Sequence, residues 1–551
     1  NAGTALTTAQ NNTLIGALSG DAITTGVENT ALGMCSLSSN TTASNNTAVG
    51  YASLLSNTTG TYNSAFGRSS LQTNVTGNRN TGIGYYSLTT NTASDNTAIG
   101  YEALTANTTG ANNTAVGTNS LKTNTTGQRN VSVGCDAMFT NLTGTDNTAV
   151  GNDALRANTT ASGITAVGKS ALVANTTGTA NTAVGGQALD ANTTGPYNTA
   201  IGKSALSTNT TAAGNSALGY TALFLNTTGA YNTALGYEAM FDNTTGGCNT
   251  AVGMCSLVNN TTASKNTAVG AVALKLTTTG DSNVAVGFRA MEDNTTGDSN
   301  TAVGCAALVT NTTGARNTAV GREALGANTT GANNVAVGCD SLKANTTGAS
   351  NVAVGRQALL QNTTASENVA VGIYSMEKTT TGANNTAIGS CSLLNNTTGT
   401  ENVAVGKEAL KANTTASSNT AVGCSALFQA TTGGANTAMG IYSGYRLTTG
   451  SSNALFGYNS GSNITTGISN HVFGSSAGID AVFNVTSENN RIVVGNNNAT
   501  NAYIKIDWTV TSDLRDKTNF GTVPHGLDFV NKLKPVSFQF KKSRENDTPH
   551  G

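Results

Sequence analysis

The sequence repeats itself at a fixed interval along most of its length. Each unit contains a segment close to Asn-Thr-Ala-Val-Gly, and the closing glycine recurs from Gly16 and Gly33 onward to Gly474. Successive glycines are seventeen positions apart throughout, except for one interval that is a position shorter, between Gly84 and Gly100. A fixed period of this length indicates a solenoid, in which each unit contacts only its neighbours and none is stable alone.

Each unit reads approximately N-T-A-V-G-x-x-A-L-x-x-N-T-T-G-x-x, as in the unit that starts with Asn113 to Gly117. A unit of this length is too short for two helices and a turn, and the glycine, threonine and asparagine content opposes helix. The alternation around the alanine fits a short strand. The sequence therefore predicts an all-β fold, a parallel β-solenoid of about 27 coils over residues 1–474, stacked about 4.8 Å apart.

Two apolar positions of the unit are expected to form the interior. The position before the repeat glycine carries Val49, Phe66, Ile83, Leu218 or Met439. The second position carries Leu104, Met138, Met240 or Met376. The alanine position stays small, as in Ala48, Ala65 and Ala115, which indicates a close approach to another layer or another chain. The repeat thus predicts that Val49, Phe66 and Ile83 stack in one buried file.

Two asparagines of each unit are predicted to form ladders. The first recurs at Asn29, Asn46 and Asn63, and Ile164 replaces it once; stacked asparagines can hydrogen-bond from coil to coil. We expect Ile164 to leave Asn147 and Asn181 each without one axial partner. The second asparagine, as in Asn57-Thr58-Thr59, also fits the acceptor pattern for N-glycosylation. Turn chemistry alone selects asparagine, threonine and glycine there, so the structural interpretation is preferred.

The shortened unit between Gly84 and Gly100 predicts where the solenoid can lose a residue. A slip inside a strand would turn its apolar side chains to the other face, whereas a turn can lose a residue without exposing anything. We therefore expect the deletion to lie in the turn Asn91–Asp95, with Ile83 and Ile99 buried and in register.

Charge and hydropathy exclude several classes of function. Lysine and arginine number 27 against 28 aspartates and glutamates, so the chain lacks the basic face of a nucleic-acid binder. No apolar run approaches the length that crosses a bilayer, about 18 residues or more, so no insertion into a membrane is expected. Carboxylates in the repeats are scattered over variable positions, without the pairing that acid–base catalysis needs. We expect no cofactor and no catalytic site within the repeats.

The eight cysteines do not form a metal or disulfide pattern. They contain no CxxC pair, and no two occupy the same position in adjacent units, so neither a metal site nor an intrachain ladder of disulfides is expected. Two interpretations remain open, small space-filling residues or bridges between chains of an oligomer. The cysteines are Cys35, Cys135, Cys248, Cys255, Cys305, Cys339, Cys391 and Cys424.

Composition changes near the end of the chain. Charged side chains become frequent in the short stretch from Asp513 to Gly551, whereas the repeats carry few. The repeat register fades after Gly474, and residues 490–495 and 502–508 alternate like ordinary strands. The predicted organisation is a repeat solenoid over 1–474, a β-rich transition region over 475–511, and a distinct C-terminal segment over 512–551.

The C-terminal segment carries two motifs that allow a comparison. Residues 511–517 read T-S-D-L-R-D-K, and residues 526–540 read G-L-D-F-V-N-K-L-K-P-V-S-F-Q-F. Both resemble the C-terminal intramolecular chaperone of phage tail fibres and tailspikes, the peptidase S74 type, with a likeness to fibres of contractile-tailed phages of marine cyanobacteria. The repeats are similar in style to the N-x-A-[VI]-G coils of trimeric autotransporter adhesins, whose period is shorter.

This resemblance implies a homotrimer that cuts itself after assembly. It would place the scissile bond between Ser512 and Asp513, with Ser512 as the nucleophile and Lys517 as its base. A serine hydroxyl needs a neighbouring base, and a lysine with a lowered pKa can serve as one. An uncleaved or remnant chaperone segment is the alternative to an active protease.

Together these features predict a structural and adhesive fibre. The preferred hypothesis is the shaft or tip of a phage tail fibre, in the virion, that forms a homotrimer and attaches to a glycan or protein receptor on the host surface. Two alternatives are kept. One is a self-cleaving, chaperone-bearing tailspike with glycan-degrading activity, and the other is an extracellular filament or trimeric adhesin of a cell.

Overall fold

A computed structural model describes residues 1–480, 483–501, 541–543 and 546–549. The chain divides into two units, residues 1–498 and 499–551. The first unit contains 29 short strands, and helices are absent from the described residues. These strands are β1 Thr13–Ile15, β2 Thr30–Leu32, β3 Thr47–Val49, β4 Ser64–Phe66, β5 Thr81–Ile83, β6 Thr97–Ile99, β7 Thr114–Val116, β8 Val131–Val133, β9 Thr148–Val150, β10 Thr165–Val167, β11 Thr182–Val184, β12 Thr199–Ile201, β13 Ser216–Leu218, β14 Thr233–Leu235, β15 Thr250–Val252, β16 Thr267–Val269, β17 Val284–Val286, β18 Thr301–Val303, β19 Thr318–Val320, β20 Val335–Val337, β21 Val352–Val354, β22 Val369–Val371, β23 Thr386–Ile388, β24 Val403–Val405, β25 Thr420–Val422, β26 Thr437–Met439, β27 Ala454–Phe456, β28 His471–Phe473 and β29 Ile492–Val494.

Consecutive strands pair in parallel and form one continuous sheet. Each residue pairs with its equivalent in the next coil, as Thr47 with Ser64, Ala48 with Ala65 and Val49 with Phe66. The predicted parallel β-solenoid, with one coil for each repeat, is confirmed. At the usual spacing of strands, the sheet is about 130 Å long.

The rest of each coil is a chain of turns that also bonds to the neighbouring coils. The repeat glycine has a positive φ, for example 141° at Gly100. Three further residues are left-handed, as at Asp95 (φ 63°), Glu102 (φ 55°) and the buried Leu104 (φ 52°). Glu102 N–H donates to Tyr85 in the preceding coil at 2.9 Å, and Leu104 N–H donates to Ser120 in the following coil at 3.0 Å. Left-handed leucine is strained, so the repeated hydrogen bonds and burial must sustain it.

The prediction that the valine position is buried is wrong. Val49, Phe66 and Ile83 do stack in one file, but that file faces outward, and Phe66 and Ile83 are 41% and 39% exposed. The alanine at the strand centre points inward and is fully buried in most coils. Alternation defines two faces of a strand but not which one is inside, and in the coils that carry an inner leucine the small alanine is the side chain that faces the narrow lumen.

The glycine at Gly82 shows how narrow the lumen is. It replaces the strand alanine, and a Cβ atom built there would lie 2.5 Å from Ser70 Oγ and 3.3 Å from Leu71 Cγ. The alanines therefore approach the opposite wall of the coil closely, as their small size indicated. That wall is the predicted leucine file, which is confirmed as buried at Leu104, Met138, Met240 and Met376.

Both asparagine files are buried ladders. In the first file, Asn63 N–H donates to Asn46 Oδ1 at 2.9 Å, and Asn63 Nδ2 donates to the carbonyl of Gly77 at 2.9 Å. In the second file, Asn74 Nδ2 donates to Asn57 Oδ1 at 3.1 Å and to Gly77 at 2.9 Å. The asparagines of the N-x-T pattern thus contribute to the interior, as the structural interpretation predicted.

Ile164 interrupts the first ladder on one side only. Its backbone N–H still donates to Asn147 Oδ1 at 3.0 Å, so the expectation that Asn147 loses an axial partner is wrong. Ile164 has no side-chain oxygen, so the backbone N–H of Asn181 loses the acceptor that an asparagine at position 164 would supply. The Asn181 side chain donates to the carbonyls of Gly178 and Gly195. In this ladder each backbone N–H donates to the side-chain oxygen of the preceding coil. Ile164 keeps its N–H but lacks the oxygen, so only Asn181 loses a hydrogen bond.

The shortened coil keeps its strands in register. Thr81 pairs with Thr97 and Ile83 with Ile99. Asn91 Nδ2 bonds to the carbonyl of Ala93, two positions on, where the equivalent Asn74 bonds three positions on. The missing residue therefore lies in the turn Asn91–Asp95, as predicted. Ile99 belongs to the outward file and is 38% exposed, so its predicted burial is wrong.

The coils at the two ends have a different interior. Their strand centre carries a larger side chain, glycine replaces the inner leucine, and an aliphatic residue stands in the second asparagine file. A Cβ atom at Gly461 would lie 2.9 Å from Leu455 Cδ2, so the two positions share one space. The strand centre, the inner leucine position and the second asparagine position are Leu14, Gly20 and Ile23 in the first coil. They are Leu455, Gly461 and Ile464 in the coil near the end.

The sheet extends past the last regular interval of the repeat. The interval from Gly474 to Gly495 is longer than the others, yet His471 of β28 still pairs in parallel with Ile492 of β29. The second unit contributes an antiparallel pair to the described residues, β30 Lys541–Ser543 and β31 Asn546–Pro549.

Candidate functional site

The outer face of the sheet presents two regular files of side chains. One file is the first strand residue, usually threonine or valine, and the other is the third strand residue, usually valine or another aliphatic side chain. We call these two files the Thr/Val face. They flank the buried alanine because side chains alternate across a strand. The third strand residue is exposed over 36% of its surface or more in many coils, as at Val184 and at Leu218 with 45%.

Charged side chains are kept off this face. Within strands β1–β29, neither file contains lysine, arginine, aspartate or glutamate. The charges stand on the turns instead, where Arg79 and Asp95 form a bidentate pair of 2.6 and 2.8 Å. The same arrangement joins Arg129 to Asp146. The hydrogen bond from Arg79 lowers the pKa of Asp95, and that from Arg129 lowers the pKa of Asp146.

Aromatic side chains accumulate in the file that follows the repeat glycine. Tyr85 and Tyr101 stack with ring centroids 5.5 Å apart and planes within 3° of parallel. The Arg68 guanidinium lies over Tyr51 and Tyr85, at 5.5 and 5.7 Å from their ring centroids. These tyrosines are part of the surface, since Tyr101 is 49% exposed. Tyrosine recurs after the repeat glycine in the sequence, and this interval is the signal from which the aromatic surface file could have been predicted.

The described residues contain no cluster suited to hold a metal ion, and no helix among them is long and apolar enough to cross a membrane. Every cysteine is a free thiol, and Cys135, Cys248 and Cys305 are exposed. Partial desolvation by neighbouring groups, followed by the nearby carboxylates of Asp136 and Glu238, raises the pKa of the Cys135 and Cys255 thiols, respectively, although Cys135 is exposed as a residue. A raised pKa opposes formation of the reactive thiolate.

The residues predicted for autoproteolysis lie outside the described residues. Ser512, Asp513 and Lys517 belong to residues 502–540, so their prediction rests on the motif alone. What the described residues define is a surface: one outward, uncharged sheet face that runs the length of the solenoid, beside files of aromatic and charged turns. The uninterrupted repeat makes the first unit, residues 1–498, an elongated solenoid.

The C-terminal segment matches a family described as chaperone of endosialidase, of the peptidase S74 type, over residues 512–550. No curated protein and no solved structure matches the chain significantly. A β-solenoid shaft followed by such a chaperone segment fits a structural protein of the tail-fibre or tailspike type.

Proposed function

We propose that the chain is the shaft of a homotrimeric fibre that attaches a virion to a host surface. The single observation behind this proposal is the order of the two parts, an uninterrupted solenoid of β1–β29 and then a chaperone-type segment at 512–550. The solenoid supplies length and stiffness, and the C-terminal segment assists assembly of three chains. The receptor is a glycan or protein of the host surface.

The described surface is consistent with attachment rather than glycan cleavage. A catalytic groove on a solenoid is normally built from inserted loops, whereas the coils between Gly16 and Gly474 keep one length, apart from the coil that is a residue shorter. Tyr101 is 49% exposed, and the outer edges of the Tyr85–Tyr101 stack add an amphipathic aromatic surface that suits contact with polar or apolar groups of a receptor.

Light scattering on the purified full chain tests the assembly. We expect a particle of three times 55.2 kDa if the chaperone segment remains attached to each chain. A stable monomer would contradict the proposed fibre. Binding to intact host cells, competed by purified surface glycan or by protease treatment of the cells, then distinguishes a glycan receptor from a protein.

Mass spectrometry of the same preparation tests self-cleavage. In this mechanism Lys517 removes the proton of the Ser512 hydroxyl, whose oxygen attacks the carbonyl carbon of the Ser512–Asp513 peptide bond. The Asp513 amine leaves with that proton, and water hydrolyses the resulting ester, so the mature chain ends at Ser512. Ser512→Ala and Lys517→Met should each retain the full mass while leaving the solenoid folded, and Ser537→Ala is the control that should still be cut. An uncut wild-type trimer would mean that the segment serves assembly without proteolysis.

A further inference from the structure

The Thr/Val face has more exposed apolar surface than a lone chain normally carries. The third strand residue is aliphatic, aromatic or methionine in every strand from β1 to β29, and many of these side chains are more than a third exposed. At roughly 60–120 Å² of apolar surface per aliphatic side chain, with about two fifths of it exposed, the 29 strands present on the order of 1,000 Å² along this file. The largest apolar patch of a typical monomer is roughly 300–600 Å². The apolar surface of this file also exceeds the roughly 800 Å² that each partner contributes to a stable interface.

The shape of this face restricts what can cover it. It is a narrow strip, as wide as one short strand, that repeats at the spacing of paired strands, about 4.8 Å. A partner that covers it without gaps must repeat at the same spacing over the same length. A second copy of this chain meets both conditions, and no charge on either copy opposes the contact.

The irregular members of the file fit a parallel arrangement of copies. Around a rotation axis along the fibre, every residue meets its own equivalent at the same height. Phe66, Phe456 and Phe473 would then meet phenylalanines, and the valines between them would meet valines. An antiparallel arrangement would set the Phe456–Phe473 stack, with centroids 5.5 Å apart, against the smaller side chains of the first strands.

We infer that the Thr/Val face is the interface between copies of this chain, which lie parallel around a common axis with this face turned inward. This inference rests on the proposed fibre and adds the surface that holds it together. The turns with their tyrosines, ion pairs and cysteines are then the outside of the assembly, free to contact a receptor.

Site-directed cross-linking of the full chain tests this assignment. In a background with all eight cysteines replaced by serine, Val269→Cys introduces one thiol on the face. Thr262→Cys introduces one on the exposed turn of the same region. A short bismaleimide should link Val269→Cys chains into covalent dimers, the largest product that one thiol per chain allows, and Thr262→Cys chains at least tenfold less. The mass of each variant before cross-linking, measured by light scattering, reports whether it assembled.

The outcomes separate the inference from the fibre proposal. An assembled trimer in which Thr262→Cys cross-links and Val269→Cys does not would overturn the interface while keeping the fibre. A monomeric wild-type chain would overturn both. Val286→Asp adds a second measurement, because three carboxylates at one height would repel each other. We expect it to shift the particle toward monomer, whereas Thr262→Asp should not, and an unchanged Val286→Asp trimer would count against the interface.

Discussion

At the scale of single residues, the asparagine ladders are most informative where they fail. Three buried oxygens without a hydrogen-bond partner belong to Asn260, Asn362 and Asn413. In each case the next coil carries a residue other than asparagine, namely Thr277, Thr379 and Ala430. The next coil normally supplies the amide donor, as Asn362 Nδ2 does for Asn345 Oδ1 at 2.8 Å. The missing amide explains the unpaired oxygen.

Restoring the ladder should therefore stabilise the solenoid. Thr379→Asn supplies an Nδ2 donor to Asn362 Oδ1 and replaces a buried hydroxyl that is itself unpaired. A satisfied buried polar group is worth about 1–2 kcal/mol. Hydrogen–deuterium exchange of the amides in the neighbouring coils measures the local gain. Asn345→Thr is the reverse change and should accelerate exchange, and equal exchange in both variants would show that the ladder contributes nothing.

Two adjacent glycines offer a second test at this scale. Gly185 closes its strand with φ 138°, and a Cβ atom there would lie 2.4 Å from the carbonyl oxygen of Gly202. At Gly186 the nearest atom would be 3.9 Å away. Gly185→Ala should cost about 2–3 kcal/mol from strain and the clash, whereas Gly186→Ala should be neutral or stabilise by up to about 1 kcal/mol. Thermal unfolding followed by circular dichroism compares them, and equal melting temperatures would contradict the role of the repeat glycine.

The valine file shows what residue patterns can and cannot predict. The alternation of Thr47, Ala48 and Val49 predicted the strand, and the fixed period predicted its register. The inner face could not be predicted from side-chain size, since the larger side chain normally faces the core. In this fold the leucine side of the coil lies so close to the strand that the smaller side chain faces the core. A Cβ atom at position 82 would lie only 2.5 Å from Ser70 Oγ. The larger side chains are left outside, where only another molecule can cover them.

At the scale of the coil, the interior is preserved in volume rather than in residue type. Most coils combine a strand alanine with an inner leucine, whereas the coil of β27 combines Leu455 with Gly461. Gly461 has a φ of 57°, close to the 52° of the inner Leu104. A leucine at position 461 can therefore adopt the backbone conformation, provided that Leu455 leaves the space.

Exchanging the two side chains tests this compensation. Leu455→Ala alone removes a buried side chain and should cost about 2–5 kcal/mol. Gly461→Leu alone overpacks the coil and should cost about 1–3 kcal/mol. The double variant restores the alanine–leucine pair of the other coils, while Ile464 Cδ1 still lies 2.9 Å from a Cβ atom at position 461. Its cost should therefore fall below the sum of the two without reaching zero. Melting temperatures of the four chains measure the coupling. Additive losses would mean that the two side chains do not share one space.

At the scale of the whole molecule, the solenoid and the chaperone segment were predictable for different reasons. The solenoid follows from a period that any reader of the sequence can count. The segment at 512–550 could be recognised from its motifs. Those motifs are also the sole basis for the predicted cleavage site at Ser512 and Asp513. The assembly interface was not predictable, because it depends on which strand face is exposed, and the sequence pattern left that choice open.

The charge distribution predicts how the fibre responds to pH. Hydrogen bonds from Arg79 and Lys411 lower the pKa of Asp95 and Glu408. A carboxylate with a lowered pKa in the folded state stabilises the fold at pH above its unfolded pKa of about 4, and this contribution disappears as pH falls through the folded pKa. Burial raises the pKa of Asp242 and Asp293. The contribution of these two carboxyl groups to stability has the opposite sign. Their ionised forms destabilise the fold, so protonation on acidification removes that destabilisation.

All four groups lie on the turns, and the asparagine ladders and the file of third strand residues carry no titratable side chain. The file of first strand residues carries one, His471 of β28. The side chains of the Arg79–Asp95 pair are 61% and 35% exposed, and those of the Lys411–Glu408 pair are 29% and 26% exposed. Pairs in such contact with solvent contribute little to stability. We therefore expect the melting temperature to stay within a few degrees between about pH 5 and pH 9, and to change only where the carboxylates begin to protonate, near pH 4. Circular dichroism melts across this range measure it, with Asp95→Asn as the variant that should flatten the acid limb. A steep change in melting temperature between about pH 5 and pH 9 would mean that an ionisable group outside the described ladders holds the fibre together.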